Sequence, residues 1–495
     1  MIKRLLVANR GEIALRVIRA CREMDIQPVA VYSDADVGAR HVRAADIAIR
    51  IGPAAAPDSY LNIDAVIDAA RRSGADAIHP GYGFLSENAA FARACASAAI
   101  TFVGPPADAM ERMGSKIAAR ALMDRAGVPV VPGRTPADQS DASVAMAADA
   151  VGFPVLVKAS AGGGGKGMRV ALDARSLADA VPAARREAQA AFGDGTLYIE
   201  RLVQKPRHVE MQVFADAHGS VVHLFERECS VQRRHQKIVE ESPSTALTVP
   251  LRKRLGEAAI AAARSAGYQN AGTLEFLVEG CGDDARFYFL EMNTRLQVEH
   301  PVTEAITGVD LVRAQLLVAM GGRLPWQQQD LTQRGHAIEC RVYAEDPSSG
   351  FLPQAGQLHL YREPSAPGIR IDSGVEEGAR VPVQYDPMLA KVIASGESRD
   401  AARKRAIAAL RSFPILGVRT NVRFLMNVLE HPAFAAGDVH TGFIDEHINN
   451  LLEARATDDV VSAVAAFARS AQPAPSARTA EHGNDPWSTI SRWGR

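Results

Sequence analysis

Pro154-Val-Leu-Val-Lys-Ala-Ser-Ala-Gly-Gly-Gly-Gly-Lys-Gly-Met-Arg-Val-Ala171 is the stretch on which the reading of the fold turns. A strand pattern enters the glycines at Ala159 and another leaves them at Met168, so the glycines tip a hairpin. Gly162, Gly163, Gly164 and Gly165 have no packing use in a strand, yet without Cβ atoms their amides can approach phosphate oxygens closely. A Walker loop is excluded, because it needs Ser or Thr after its lysine and then a helix, whereas Gly167 follows Lys166 and a strand comes next. Lys158, on the strand that feeds the loop, is aimed by the same hairpin and suits a phosphate. The simpler alternative is a bare hairpin tip with no ligand.

Before this hairpin, β and α signals alternate. Arg4 to Ala8 reads as a buried strand, followed by a helix from Glu12 in which Ile13, Val17, Cys21 and Met24 fall near one face. Further strands at 27–32, 76–79 and 100–103, with a helix over 63–72, predict a doubly wound parallel sheet. Asn9-Arg-Gly-Glu12 stands where a dinucleotide enzyme carries three glycines; with Gly11 alone, a nicotinamide site is not expected. Turn chemistry at 127–133 opens a small α+β module over about 134–203. From 204 onward strands dominate, with helices near 251–266 and 400–411. After about 455 the chain turns Ala-rich and then reads as a solvated linker, Gln472-Pro-Ala-Pro-Ser-Ala-Arg-Thr479.

A chain of 495 residues is too long for one ordinary core, so two to four units are expected. Hydrophobic residues at 47%, charged residues at 23% and a net charge of -1 describe a globular protein with no basic excess, which argues against nucleic-acid or membrane partners. The five cysteines, Cys21, Cys95, Cys229, Cys281 and Cys340, lack C-x-x-C spacing and read as reduced thiols. The apolar run at the N-terminus is too short for a signal segment, and no stretch reaches the roughly 18 apolar residues of a membrane span, so a cytoplasmic enzyme is expected.

The densest chemistry lies between 275 and 301. Glu275 falls on one strand, and Glu291 with Asn293 on the next; alternation puts Glu291 and Asn293 on one face. Carboxylates in apolar strands are costly unless paired or metal-bound, and carboxylates with an amide oxygen suit Mg²⁺ bridging nucleotide phosphates better than a buried salt bridge. Arg295, Gln297, Glu299 and His300 crowd the segment that follows, which reads as a reacting centre. Arg227-Glu-Cys-Ser-Val-Gln-Arg-Arg-His-Gln-Lys237 is either a solvated basic strand or, with His208 and Lys158, an anion-binding wall.

Taken in order, Ala8-Asn-Arg-Gly-Glu-Ile-Ala14, His79-Pro-Gly-Tyr-Gly-Phe-Leu-Ser-Glu-Asn88, Lys158 with its glycine loop, Gln232-Arg-Arg-His-Gln-Lys237 and Glu291-Met-Asn-Thr-Arg-Leu-Gln-Val-Glu-His-Pro301 closely resemble the biotin carboxylase family of ATP-grasp enzymes, over residues 1 to about 450. The resemblance implies an α/β fold with an N-terminal doubly wound parallel-sheet domain (1–115), an ATP-grasp domain (116–330) with a hinged α+β lid at about 131–203, and a C-terminal antiparallel-sheet domain (331–450). It implies a reaction in which ATP and bicarbonate carboxylate biotin on a carrier domain through carboxyphosphate, the first half-reaction of an acetyl-, propionyl- or methylcrotonyl-CoA carboxylase.

By the same resemblance, ATP would be held by Lys116, Lys158, Gly163, Gly164, Gly165, Lys166, Gly167, Met168, His208, Gln232 and His235. Glu200, Arg201 and Val203 would frame adenine, Arg201 standing where many relatives carry Lys. Glu275, Glu291 and Asn293 would hold two Mg²⁺ ions, which Mn²⁺ can replace. Lys237, Arg295, Gln297 and Val298 would form the bicarbonate pocket, with Glu299 as base and Arg341 steadying the biotin enolate. Expected partners are a biotin carboxyl carrier, a carboxyltransferase and a second copy of the chain, with Arg19 and Glu23 as interface candidates. Other readings are a different ATP-grasp ligase, such as a carbamoyl-phosphate-type enzyme, and a silent nucleotide-binding scaffold.

No biotin-acceptor Ala-Met-Lys-Met occurs. Asp485-Pro-Trp-Ser-Thr-Ile-Ser-Arg-Trp493 follows the linker, and its two tryptophans read as the opening of a further packed domain at 451–495; the alternative is that they fold back onto the C-terminal domain. Gly417-Val-Arg-Thr-Asn421 also resembles the fused α-subunits of methylcrotonyl- and propionyl-CoA carboxylases.

Overall fold

Leu5, Leu6 and Val7 are wholly buried, as a strand covered on both faces requires. In the computed structural model, which describes residues 1–160 and 167–453, they belong to β1 (Arg4–Val7). Gly163, Gly164, Gly165, Lys166 and the tryptophan-bearing segment lie outside the described residues. With β2 (Gln27–Ser33), β3 (Ile47–Gly52), β4 (Ala77–His79) and β5 (Thr101–Phe102), β1 forms a five-stranded sheet of order β3-β2-β1-β4-β5. Every pairing is parallel. Sequence reading finds four of these strands and misses β3. That strand lies at the sheet edge with only its last two residues buried, so it lacks the apolar run that betrays a central strand.

Strand order reverses at β1, and in open parallel sheets the crevice at the carboxyl ends beside such a point is where ligands sit. The two segments there are the loop from Ala8 to Arg10, which leads into the first turn of the helix Gly11–Glu23 and its Glu12, and the loop Pro80 to Asn88 after β4. The Asn9 amide donates to the carbonyls of Pro80 and Tyr82, both at 2.7 Å, tying one loop to the other. Asn88 ends the second loop by capping the helix Ala89–Ser97, its side chain accepting from the Phe91 amide at 2.9 Å.

The helical connector comprises two helices, Ala107–Gly114 and Lys116–Arg125, divided at Ser115. Next comes a four-stranded antiparallel sheet of β6 (Gly133–Arg134), β7 (Val155–Ala159), β8 (Met168–Ala171) and β9 (Leu197–Arg201), in the order β6-β9-β7-β8. Helices Asp141–Val151 and Ala174–Phe192 pack on it through Val144, Leu177 and Val181 against Val155 and Val157. β7 and β8 are the arms of the expected hairpin. At its base the Ala159 amide donates to the Gly167 carbonyl, and Gly167 has φ +71° with Ala159 Cβ 2.9 Å from where its own Cβ would stand.

The largest sheet contains β10 (Arg207–Ala215), β11 (Val221–Arg233), β12 (Gln236–Ser242), β13 (Asn270–Glu279), β14 (Arg286–Asn293), β15 (His336–Tyr343), and the strands Ile369–Ser373 and Met388–Gly396. All eight are antiparallel, ordered β14-β13-β10-β11-β12-β15, then Met388–Gly396, then Ile369–Ser373. The sheet therefore runs unbroken past residue 330. Alternation divides its faces: Val209, Met211, Leu274 and Phe276 pack with Leu251, Leu255 and Ala259 of the helix Val249–Ser265, while His208, Glu210, Thr273 and Glu275 point to the other side. The helix Arg399–Arg411 covers the far end of the sheet. Among the described residues no helix is long and apolar enough to cross a membrane.

Phe276 is fully buried, with edge-to-face contacts to Phe287 at 5.6 Å and Phe289 at 6.3 Å. Phe276→Ala should cost about 3–5 kcal/mol, as truncating a buried aromatic ring does. A urea-unfolding midpoint as high as that of the unaltered chain would show that this layer does not carry the sheet.

Candidate active site

Two concavities adjoin on the charged face of the large sheet. One is lined by Lys116, Lys158, Met168, Glu200, Arg201, Val203, His208, Gln232, His235, Glu275 and Glu291. The other is lined by Asn9, Arg10, Glu12, Tyr82, Arg295, Val298, Arg341 and Tyr385. Residues from Asn9 to Tyr385 are thus gathered into one cleft and its neighbour.

In the first cleft, Lys158 on β7 is buried and donates to Glu200 on β9 at 2.9 Å. Burial favours its neutral form, but the Glu200 carboxylate outweighs this and raises the pKa. Arg120 holds the other Glu200 oxygen at 2.8 Å, so that carboxylate is occupied by two cations. Arg201 is likewise occupied, forked onto Glu279 by two hydrogen bonds of 2.8 Å. Val203 packs with Val131 and Tyr288, an apolar slot suited to a planar ring. Lys116 opens its helix with its ammonium 4.0 Å from Glu291, and burial lowers its pKa. His235 is exposed at the β11–β12 turn, whereas Gln232 is buried.

Glu275 and Glu291 stand directly opposite each other on β13 and β14. The Asn293 amide donates to Glu275 at 2.8 Å. Burial, and next the charge of Glu275, push the Glu291 carboxyl up. Two adjacent carboxylates beside an amide oxygen, one of them short of compensating charge, make a donor set that fits a hard divalent cation.

Between the two concavities lies Lys237. Its ammonium donates to Glu210 at 2.5 Å, Glu275 at 2.7 Å and Glu299 at 2.8 Å. Burial opposes its charge, yet the three carboxylates raise its pKa well above the ordinary lysine value. Glu299, fully buried, also accepts from Arg341 at 3.0 Å. Burial alone would push Glu299 up, but Lys237, Arg341 and Arg227 together hold it well below the usual carboxylate range. Arg341 is anchored from behind by Glu240 at 2.6 Å, and Arg227 by Glu210 at 2.5 Å. Arg295 donates to Glu87 at 2.9 Å, Gln297 at 2.7 Å and Asn293 at 3.1 Å. Gln297 is buried beside it, and Val298 reaches the rim of the second concavity.

Glu87, Glu210, Glu240 and Tyr82 also belong to this site, and sequence reading assigns them no role; Arg227, read as part of a basic strand or an anion-binding wall, is instead fully buried against Glu210, Gln212, Thr273 and Thr303. For Glu210 the signal was present: a carboxylate between Val209 and Met211 is the same anomaly that singles out Glu275. Glu87 and Tyr82 lie inside the quoted 79–88 stretch, but nothing local shows that this loop faces Arg295.

Residues 1–110 match the biotin carboxylase N-terminal domain, 115–327 the carbamoyl-phosphate synthase L chain ATP-binding domain, and 339–446 the biotin carboxylase C-terminal domain. The chain is 52% identical over 452 residues to a mitochondrial methylcrotonoyl-CoA carboxylase subunit alpha of Oryza sativa, a match covering 91% of the chain and 61% of that protein. It is 49% identical over 448 residues to a biotin carboxylase of Halalkalibacterium halodurans, covering 90% of the chain and 98% of that protein. The chain therefore spans nearly the whole of one kind of relative and about three-fifths of the other.

Among solved structures, the biotin carboxylase domain dimer of Hydrogenobacter thermophilus 2-oxoglutarate carboxylase, in complex with MgADP, ADP and bicarbonate, aligns with a TM-score of 0.88 and 44% identity, covering 92% of this chain and all of that one. A Campylobacter jejuni biotin carboxylase aligns at 0.87 and 45% identity, covering 90% and 99%. Matches at both ends, and not to the ATP-binding part alone, separate the chain from carbamoyl-phosphate synthases: it belongs to the biotin carboxylase family.

Proposed function

We propose that the chain carboxylates biotin, using ATP and bicarbonate, on a carrier domain supplied by another polypeptide or another region of its own. The observation that carries this is the position of Lys237, whose one ammonium links Glu275 on the nucleotide side to Glu299 on the anion side. The phosphate end of the cleft and the pocket for a small anion are thus wired together, as transfer of phosphate to bicarbonate requires.

Lys116, Lys158 and His208 line the phosphate end, and the apolar slot at Val203 takes adenine. A divalent cation held by Glu275, Glu291 and Asn293 would neutralise phosphate charge. Arg295, with Gln297 and the Val298 backbone, holds bicarbonate against that cluster. One bicarbonate oxygen attacks the γ-phosphorus and ADP leaves, while Glu299 accepts the bicarbonate proton. Because its cations keep Glu299 anionic and weakly basic, proton transfer must accompany O–P bond formation, not precede it. The resulting carboxyphosphate breaks into CO₂ and phosphate; phosphate takes the ureido proton of biotin, and the biotin nitrogen, its enolate oxygen steadied by Arg341, attacks CO₂. Tyr82, Tyr385 and Met388 wall the concavity that biotin enters.

The wider assembly belongs to the same reading: a carrier, a carboxyltransferase that passes the carboxyl group to an acyl-CoA, a homodimer and a cytoplasmic location. The carrier, the carboxyltransferase and the homodimer are supported by the likeness to methylcrotonoyl-CoA carboxylase α-subunits and to a dimeric biotin carboxylase domain; those α-subunits are mitochondrial and lend the cytoplasmic location no support. Arg19 and Glu23 are about half exposed, with only loose partners of their own in Asp372 at 3.6 Å and Arg313 at 3.7 Å, which leaves them open to a second copy.

Glu299→Gln should abolish bicarbonate-dependent ATP cleavage and leave nucleotide affinity within about tenfold, since the group acts in the transition state. Unchanged turnover would remove Glu299 from the mechanism. Arg341→Ala should depress carboxylation of free biotin more than it depresses ATP cleavage, because its charge is needed after carboxyphosphate forms. Equal losses in the two assays would place Arg341 in the first half-reaction instead.

A further inference from the structure

Lys391 is wholly buried on the strand Met388–Gly396, directly across from Arg341 on β15. Its ammonium donates to the backbone carbonyl of Val298 at 2.9 Å. It also pairs with Glu12 at 3.2 Å, and the carboxylate of Asp372 lies at 3.9 Å. Glu12 in turn accepts the hydroxyl proton of Tyr82 on the same oxygen that faces Lys391, and the Tyr82 ring lies 6.0 Å from the ammonium. Asp372 is held away from the pocket by a fork of hydrogen bonds from Arg370 at 2.9 and 2.6 Å. One ammonium therefore joins the Arg295–Glu299 segment, the first turn of the helix Gly11–Glu23 through Glu12, and the Pro80–Asn88 loop through Tyr82. These are three walls of one concavity, brought from residues nearly 300 apart.

We infer that Lys391 is a positioning residue for the bicarbonate and biotin pocket, fixing the Val298 backbone at a set distance from Tyr82 by bridging the Val298 carbonyl to the Glu12 carboxylate. The physical reason is stiffness. A buried ammonium with a carbonyl and a carboxylate as partners cannot let go of either without leaving a desolvated charge, which is far costlier than breaking a surface contact. Without the bridge, Gln297, Val298 and Glu299 would still be attached to their strand but free to drift relative to the pocket wall, and reacting geometry tolerates little drift. Nothing in this arrangement touches ATP, whose phosphate and adenine contacts lie in the other concavity. The inference rests on the biotin carboxylase reading above.

The test uses the full chain, with bicarbonate-dependent ATP cleavage measured in the presence of free biotin and Mg-ATP binding measured separately by calorimetry. Lys391→Met should lower kcat/KM for bicarbonate by roughly 10- to 100-fold, the scale of a misplaced reacting group, while Mg-ATP affinity stays as in the unaltered chain. Lys391→Arg should recover part of the loss. Glu12→Gln, which keeps an acceptor for Tyr82 but removes the ion pair, should lower kcat/KM for bicarbonate in the same direction, and the double variant should be no worse than Lys391→Met alone, because both changes cut one bridge. Parallel losses of Mg-ATP affinity and bicarbonate kcat/KM would make Lys391 a general prop of the fold and overturn the inference. If Lys391→Met does not fold, Glu12→Gln decides: bicarbonate kinetics unchanged in that variant would equally overturn it. An unaltered chain that cleaves ATP with no dependence on bicarbonate would sink the biotin carboxylase reading itself, and this inference with it.

Discussion

Lys237 has three carboxylates within hydrogen-bonding distance and a side chain only 12% exposed. Glu210 and Glu299 are completely buried and Glu275 nearly so, and three carboxylates so close could not all remain ionised without a cation among them. The ammonium is therefore a structural necessity before it is a functional one. Arg227 and Arg341 complete the balance from either side, each forked between a carboxylate facing the site and further partners behind it. Removing any single member leaves an uncompensated buried charge, so the set behaves as a unit. This shared restraint lets a site assembled from several strands keep its geometry before any ligand arrives.

The antiparallel sheet makes such a unit affordable. With a period of two, β10 sends Val209, Met211 and Val213 into an apolar layer and His208, Glu210 and Gln212 to the opposite side; β13 does the same with Leu274, Phe276 and Val278 against Thr273 and Glu275. Polar chemistry is concentrated on one face because the other meets an unbroken hydrophobic layer. The parallel sheet contributes differently, through the carboxyl-end loops beside its reversal of strand order, which bring Asn9, Glu12 and Tyr82 across from Arg295 and Arg341. A crevice of the kind that in other doubly wound sheets receives a dinucleotide here closes one side of the concavity lined by Arg295 and Arg341.

Much of this was legible because the signals were local. The paired hairpin arms β7 and β8, the paired carboxylates at Glu275 and Glu291, and the polar crowd from Arg295 to His300 each break a pattern within a few residues of themselves. Lys391 breaks no such pattern. Sequence reading assigns Met-Leu-Ala-Lys-Val-Ile-Ala-Ser-Gly396 no role, and only its pairing with β15 in the folded chain brings this lysine into the site. Glu240 was hidden for the same reason: its partner Arg341 is about a hundred residues away. Arg201 and Glu200 were readable as cleft residues, but not as members of ion pairs with Glu279 and Lys158, since a side chain's partner across strands depends on register and not on spacing.

Glu299 shows how the charge balance bears on the reaction. Lys237 and Arg341 both rest on it, and each contact stabilises the anion and weakens the base. On the proposed reading, bicarbonate at Arg295 and phosphate oxygens in the neighbouring cleft would add anions on either side of Lys237. Every share of Lys237's charge drawn toward them is withdrawn from Glu299, whose proton affinity then rises. On that reading, Glu299 would be a poor base in the empty site and a better one with both substrates in place.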